Sequence, residues 1–163
     1  MKKYIIILAF LFIPIVIFFN KDIFHGLLED TDNPKIILED LTNDKMGIYA
    51  FGFEECPWCE QLYPILDEAV RMYGEEVRYV DTHSEKFTEK ERTSLKKYLM
   101  KNTEFDDIVV PYVVMVGKNG SYQYHVGTLE GHDASKDKLT VSQESELQKR
   151  LEDMIYTYKE RNK

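Results

Sequence analysis

Met46-Gly47-Ile48-Tyr49-Ala50-Phe51-Gly52-Phe53-Glu54-Glu55-Cys56-Pro57-Trp58-Cys59-Glu60 is the stretch on which the reading of this 163-residue chain turns. Its first half, residues 46–53, is apolar and rich in aromatic side chains, which reads as a buried strand. Its second half holds both cysteines of the chain, three positions apart. A pair that close encloses almost no loop, so bridging it removes little chain entropy and makes a poor staple. The spacing suits a small ring that opens and closes reversibly, or half of a metal site. Zinc needs four ligands, and His25, His83, His125 and His132 are scattered without paired spacing. At this level redox ring, zinc half-site and structural bridge all remain open.

The pattern continues outward. Past Pro57, the residues Leu62, Leu66, Ala69, Val70 and Tyr73 fall on one face of a helix that Gly74 ends. Residues 77–81 read as a second strand, and Thr88 with Glu91 forms a capping box for a helix with Leu95, Tyr98 and Leu99 along its apolar stripe. Residues 108–116 are strand-like but contain Pro111; Lys118-Asn119-Gly120 is a hairpin turn, and 122–126 the return strand. Residues 130–141 are polar and predict a loop. Leu147, Leu151, Met154, Ile155 and Tyr158 line a last helix, with Ser142 as its expected N-cap. Upstream, Asn33 and Pro34 look like an N-cap and first helical residue, and Ile37, Leu38 and Leu41 give that helix its apolar face. The order helix, strand, helix, strand, helix, strand, strand, helix predicts an α/β fold with a mixed central sheet: parallel strands at the centre and an antiparallel C-terminal hairpin.

Lys2 and Lys3 precede a 16-residue apolar run, residues 4–19, broken only by Pro14. The length falls between a signal-peptide core of roughly 7–15 residues and a spanning helix of about 20. No small-x-small cleavage site follows, so residues 1–20 read as an uncleaved anchor, with a cleaved signal as the alternative. The positive flank keeps Lys2 and Lys3 in the cytoplasm and puts the rest of the chain outside, on the cell membrane as a single-pass protein or secreted if cut. Residues 21–32 read as a polar linker and 33–160 as one domain. All 29 acidic residues lie beyond the anchor against 19 Lys and Arg, a charge of about −10 that opposes binding to nucleic acid.

With these elements in place the chain resembles the thioredoxin superfamily over about residues 33–160. Members place a Cys-x-x-Cys pair at the start of the helix after a central strand, as Cys56 and Cys59 would be here. The family's kink proline followed by Ile-Leu-Asp-Glu corresponds to Pro64-Ile65-Leu66-Asp67-Glu68. Its cis-proline before the terminal hairpin corresponds to Val110-Pro111, and its Lys-Asn-Gly and Val-Gly to Lys118-Asn119-Gly120 and Val126-Gly127. The resemblance implies a three-layer thioredoxin-like fold and is similar in kind to the membrane-anchored thioredoxin-like proteins of Gram-positive bacteria, some of which accompany bacteriocin export. There are departures. The span from Asp81 to Pro111 is long, the 130–141 loop is extra, and Ala50 stands where thioredoxins carry a buried Asp thought to help the second cysteine transfer its proton. The dipeptide is Pro-Trp rather than Gly-Pro.

The expected function is therefore an extracytoplasmic thiol–disulfide oxidoreductase. Cys56 would attack and Cys59, one turn on and facing inward, would resolve the mixed disulfide. Backbone N–H groups at the helix start should depress the Cys56 pKa modestly, against the nearby Glu54, Glu55 and Glu60. Trp58, Val110 and Pro111 are the expected substrate contacts, and Pro57 and Ala50 the residues that tune the pair. No cofactor beyond the redox-active pair, no metal, and a monomer are expected, with protein thiols or disulfides and a redox partner as the interacting species. The competing expectation is an accessory or holdase subunit of an export system that uses the same fold with little redox turnover.

Overall fold

A computed structural model describes residues 33–163. The expected anchor (1–20), the linker (21–32) and His25 lie outside the described residues. The elements are α1 (Pro34–Thr42), β1 (Gly47–Gly52), α2 (Pro57–Met72), β2 (Val77–Asp81), α3 (Glu89–Asn102), β3 (Tyr112–Val116), a 3-10 turn (Lys118–Gly120), β4 (Tyr122–Val126) and α4 (Val141–Asn162). Their order is the predicted one. No helix among the described residues is long and apolar enough to cross a membrane.

The sheet runs β2-β1-β3-β4. β1 pairs parallel with β2, Ile48 opposite Val77, and antiparallel with β3, Ala50 opposite Val113. β3 and β4 close the antiparallel hairpin, Val113 opposite His125. The single parallel pair is thus at one side of the sheet, not at its centre as expected. The helical crossover through α2 returns the chain parallel to β1; the long passage through α3 brings it back on the other side of β1 in the opposite sense.

Strand side chains alternate between faces, and both faces of β1 and β3 are covered. Ile48, Ala50, Val113, Met115 and Tyr79 face α2 and α4, meeting Leu62, Leu66, Leu147, Leu151 and Ile155. Tyr49, Phe51, Val80, Tyr112, Val114 and Val116 face α1 and α3, meeting Ile37, Leu38, Leu41, Leu95 and Leu99. The result is three layers, helices on each side of a mixed sheet. Burial on both faces is why residues 46–53 read as an unbroken apolar run rather than an alternating one.

Local chemistry marks the element ends. The Asn33 side chain accepts the Lys35 N–H at 3.1 Å and Pro34 opens α1. Thr88 and Glu91 form the expected capping box on α3. In the hairpin turn Asn119 and Gly120 have φ of 62° and 70°, the left-handed region that suits these two residue types. β3 begins only at Tyr112, since the ladder with β1 ends there and Pro111 offers no N–H. The cap of α4 is Thr140, not Ser142. Thr140 Oγ1 accepts from the Gln143 N–H at 3.4 Å, and Gln143 Oε1 accepts from the Thr140 N–H at 2.9 Å. This Thr-x-x-Gln box begins the helix at Val141 and leaves Ser142 exposed inside its first turn.

Thr140→Ala is expected to lower the unfolding free energy by about 1 kcal/mol, and Ser142→Ala by less than about 0.5 kcal/mol, in urea denaturation of the two variants. A larger effect at Ser142 would reverse the assignment of the cap.

Candidate active site

α2 is capped by sulfur. Cys56 has extended backbone angles (φ −79°, ψ 114°) and its Sγ accepts the Cys59 N–H at 3.4 Å, the position usually filled by a Ser, Thr or Asp oxygen. Pro57 occupies the first helical position, where its missing N–H costs nothing. Both sulfurs are buried, Cys56 at 3 % and Cys59 at 0 % exposure, and both are free thiols.

The two thiols are driven apart in acidity. The Cys59 thiol, donating to Cys56 Sγ, is the main reason that the Cys56 pKa falls to about 7; burial opposes this, the backbone N–H groups of Cys59 and Trp58 reinforce it, and Glu60 pushes back. The expected direction is met, with the neighbouring thiol ahead of the helix end as its cause. Cys59 moves the other way. Holding a proton on behalf of Cys56, together with its own burial, raises its pKa far above that of a free thiol, while the Phe53 N–H and the Tyr63 hydroxyl work against the rise. One sulfur is thus the readier of the two to ionise and the other the one that keeps its proton.

The floor of the site is set by Gly52, the last residue of β1. A Cβ there would sit 2.1 Å from the Tyr63 hydroxyl oxygen and 2.7 Å from Cys59 Sγ, so only glycine fits. The Gly52 carbonyl is held by the Thr82 N–H at 2.7 Å and its hydroxyl at 3.1 Å. Ala50 is wholly buried, in register with Tyr79 on one side and Val113 on the other, and the Tyr79 ring meets Tyr63 edge-on at 5.4 Å.

The remaining predicted residues surround the pair. Trp58 is half-buried and packs against the core cluster that contains both cysteines. Its ring lies over Gly127, where a Cβ would be 3.8 Å from Cδ1, and the Gly127 N–H donates to the Pro111 carbonyl at 3.0 Å. The Val110–Pro111 peptide bond is cis. Val110 packs against both core clusters, and Phe53 stacks on His83 at 3.6 Å. A cleft lined by Phe53, His83, Arg92, Lys96, Ile108 and Val110 opens beside this rim. On the other side the extra 130–141 loop is tied to α2 by Gln61. Its Nε2 donates to the carbonyls of Ala134 at 3.4 Å and Asp137 at 3.2 Å, and its Oε1 accepts the Leu139 N–H at 2.7 Å.

Gly52, Gln61 and Tyr63 were not singled out from the sequence. Tyr63 had a signal, since it lies four residues after Cys59 and so one helical turn away. Gly52 and Gln61 had none, because their roles depend on approaches between distant segments. The histidines do not converge: His83 is on Phe53, His125 is buried on β4 and His132 is 3.3 Å from Gln61. Among the described residues no group of three or more His, Cys, Asp or Glu side chains is placed to hold a metal ion. No protein-family model matches the chain, and no match is found among curated proteins.

Alkylation of Cys56 by iodoacetamide is expected to follow its thiolate, half-maximal at about pH 7, with the rate rising as pH passes upward through that value. Mass-spectrometric mapping over pH 5–9 checks it; a midpoint near ~8.5, the free-thiol value, would contradict the hydrogen-bonded arrangement. Gly52→Ala is expected to destabilise the domain by about 2 kcal/mol or more through overpacking, read as a shifted denaturation midpoint.

Proposed function

We propose that this chain is a thiol–disulfide oxidoreductase built on a thioredoxin-like fold, acting on protein thiols or disulfides outside the cytoplasm from an N-terminal membrane anchor. The observation that carries the reading is the sulfur cap: Cys56 at the mouth of α2 with its pKa lowered to about 7, and Cys59 buried one turn behind it with its pKa raised. A structural bridge or a metal half-site has no use for two thiols of opposite acidity, whereas attack followed by resolution needs both.

In the reducing direction the Cys56 thiolate attacks one sulfur of a substrate disulfide, forming a mixed disulfide and expelling the other sulfur as thiolate, which takes a proton. Cys59 then gives up its proton and attacks Cys56 Sγ. The Cys56–Cys59 bond forms, the bond to substrate breaks, and two electrons have passed to the substrate. Run backwards, the same steps oxidise a substrate dithiol, and the redox partner decides which way the pair is driven. Trp58, Val110 and Phe53 offer an apolar rim for an extended polypeptide beside Cys56, and the neighbouring cleft gives its side chains a place to lie.

Cys59→Ser in the native host is expected to leave substrate proteins covalently joined to Cys56, recovered as species that disappear on reduction; Cys56→Ser should capture none. Full retention of the wild-type phenotype by a variant lacking both thiols would defeat the enzymatic reading in favour of a binding subunit.

A further inference from the structure

The sulfur that resolves the mixed disulfide must become an anion at a buried site, and the structure surrounds it with donors. The Phe53 backbone N–H and the Tyr63 hydroxyl both favour the anionic form of Cys59 Sγ. Gly52 brings that hydroxyl and that sulfur to the same point, close enough that a single methyl group would strike both. Tyr63 is itself enclosed, at 1 % exposure, its ring held edge-on by Tyr79. Burial, together with the two sulfurs, keeps its phenol protonated well above the ordinary tyrosine range. A phenol that stays protonated keeps a proton to offer, and a sulfur that becomes anionic beside it is the acceptor that would turn that O–H toward Cys59 Sγ.

We infer that Tyr63, with the Phe53 N–H, forms a thiolate hole for Cys59, and that Tyr63 is a catalytic residue of the resolving step. The inference rests on the oxidoreductase reading and deepens it. When Cys59 loses its proton to attack Cys56 Sγ, the two donors take up the charge that develops on its sulfur. The substrate sulfur leaves as thiolate and accepts the proton released. In the opposite direction a substrate thiolate attacks Cys56 in the oxidised pair and Cys59 is the leaving group, so the same donors ease its departure. Fixed donors aimed at a developing charge in a dry site are the means by which oxyanion holes lower barriers, here applied to sulfur. The site therefore does not need a buried carboxylate at residue 50. Beside the small Ala50 stands Tyr79, whose ring braces Tyr63.

The test uses the full chain, reduced, with Ellman's disulfide as probe. Attack by Cys56 releases one thionitrobenzoate, and resolution by Cys59 releases a second, so the two steps separate in one trace. Tyr63→Phe keeps the ring and removes the donor; it is expected to slow the second release by about tenfold, the order of one hydrogen bond to a charged group, with the first changed less than threefold. Tyr79→Phe keeps the ring that braces Tyr63 and removes its hydroxyl, and should alter neither by more than about twofold if charge stabilisation, not packing, is the cause. In a Cys56→Ser background, Tyr63→Phe should raise the Cys59 pKa by about one, read from the 13Cβ shift of labelled cysteine. An unchanged second release, equal losses in the two tyrosine variants, or an unmoved Cys59 pKa would each overturn the thiolate hole. A wild-type chain that never releases the second equivalent would instead overturn the oxidoreductase reading itself, and the role in resolution with it.

Discussion

The end of β1 passes beneath the first turn of α2 so closely that residue 52 has room for a hydrogen and nothing more. That one steric constraint arranges the rest. It brings the Cys59 sulfur and the Tyr63 hydroxyl together, it leaves the Gly52 carbonyl to be held by Thr82, and it lets the chain turn within residues 53–56 to place a second sulfur over the open helix end. The surrounding layers exist in part to hold this approach. β1 is paired on both sides, with β2 and β3, so it cannot retreat, and α2 packs onto it through the Leu62 and Leu66 side chains, with α4 covering the same face of the sheet.

Two chemically identical thiols acquire different acidities from position alone. Cys56 is at the helix mouth, where unpaired N–H groups and a thiol donor favour charge. Cys59 is one turn deeper, where water is absent and a negative neighbour disfavours a second anion. Neither effect requires a charged partner from elsewhere, which suits a site whose nearest ionisable residues in sequence are Glu54, Glu55 and Glu60. An acidic rim would defeat a thiolate that relied on long-range attraction. It matters less to one held by hydrogen bonds at close range, since exposed charges are screened and buried donors are not.

Much of the architecture could be read from residue patterns because local rules and tertiary packing agree there. The aromatic run 46–53, the helical spacing from Leu62 to Tyr73 and the Thr88–Glu91 box each predict an element that the structure contains. The reading failed where a rule had two candidates or where a partner was remote. At the start of α4, Ser142 and Thr140 are both good caps, and only the Gln143 side chain, reaching back to the Thr140 N–H, decides between them. The side on which β3 joins β1 depends on a long passage through α3 with no local signature. At the site, both cysteines, Pro57, Trp58 and Pro111 were visible as motif residues. Gly52 was not, because a glycine forced by a contact looks the same in sequence as a glycine that merely ends a strand. Gln61 was missed for the same reason, its three bonds being made to residues more than seventy positions away.

On the oxidoreductase reading, α2 is capped by a sulfur that changes oxidation state, and the helix carries that state in its own fold. An anionic sulfur is a strong acceptor for the Cys59 N–H, and a sulfur engaged in a bridge is a weak one. Electrons on the pair and order in the opening turn of α2 are therefore linked quantities, and linkage is reciprocal. On the same reading, whatever braces that turn, including the loop that Gln61 ties to it, would draw electrons toward the pair, and whatever loosens it would let them go. The scaffold beside the cysteines would then be a reservoir of reducing power as well as a frame.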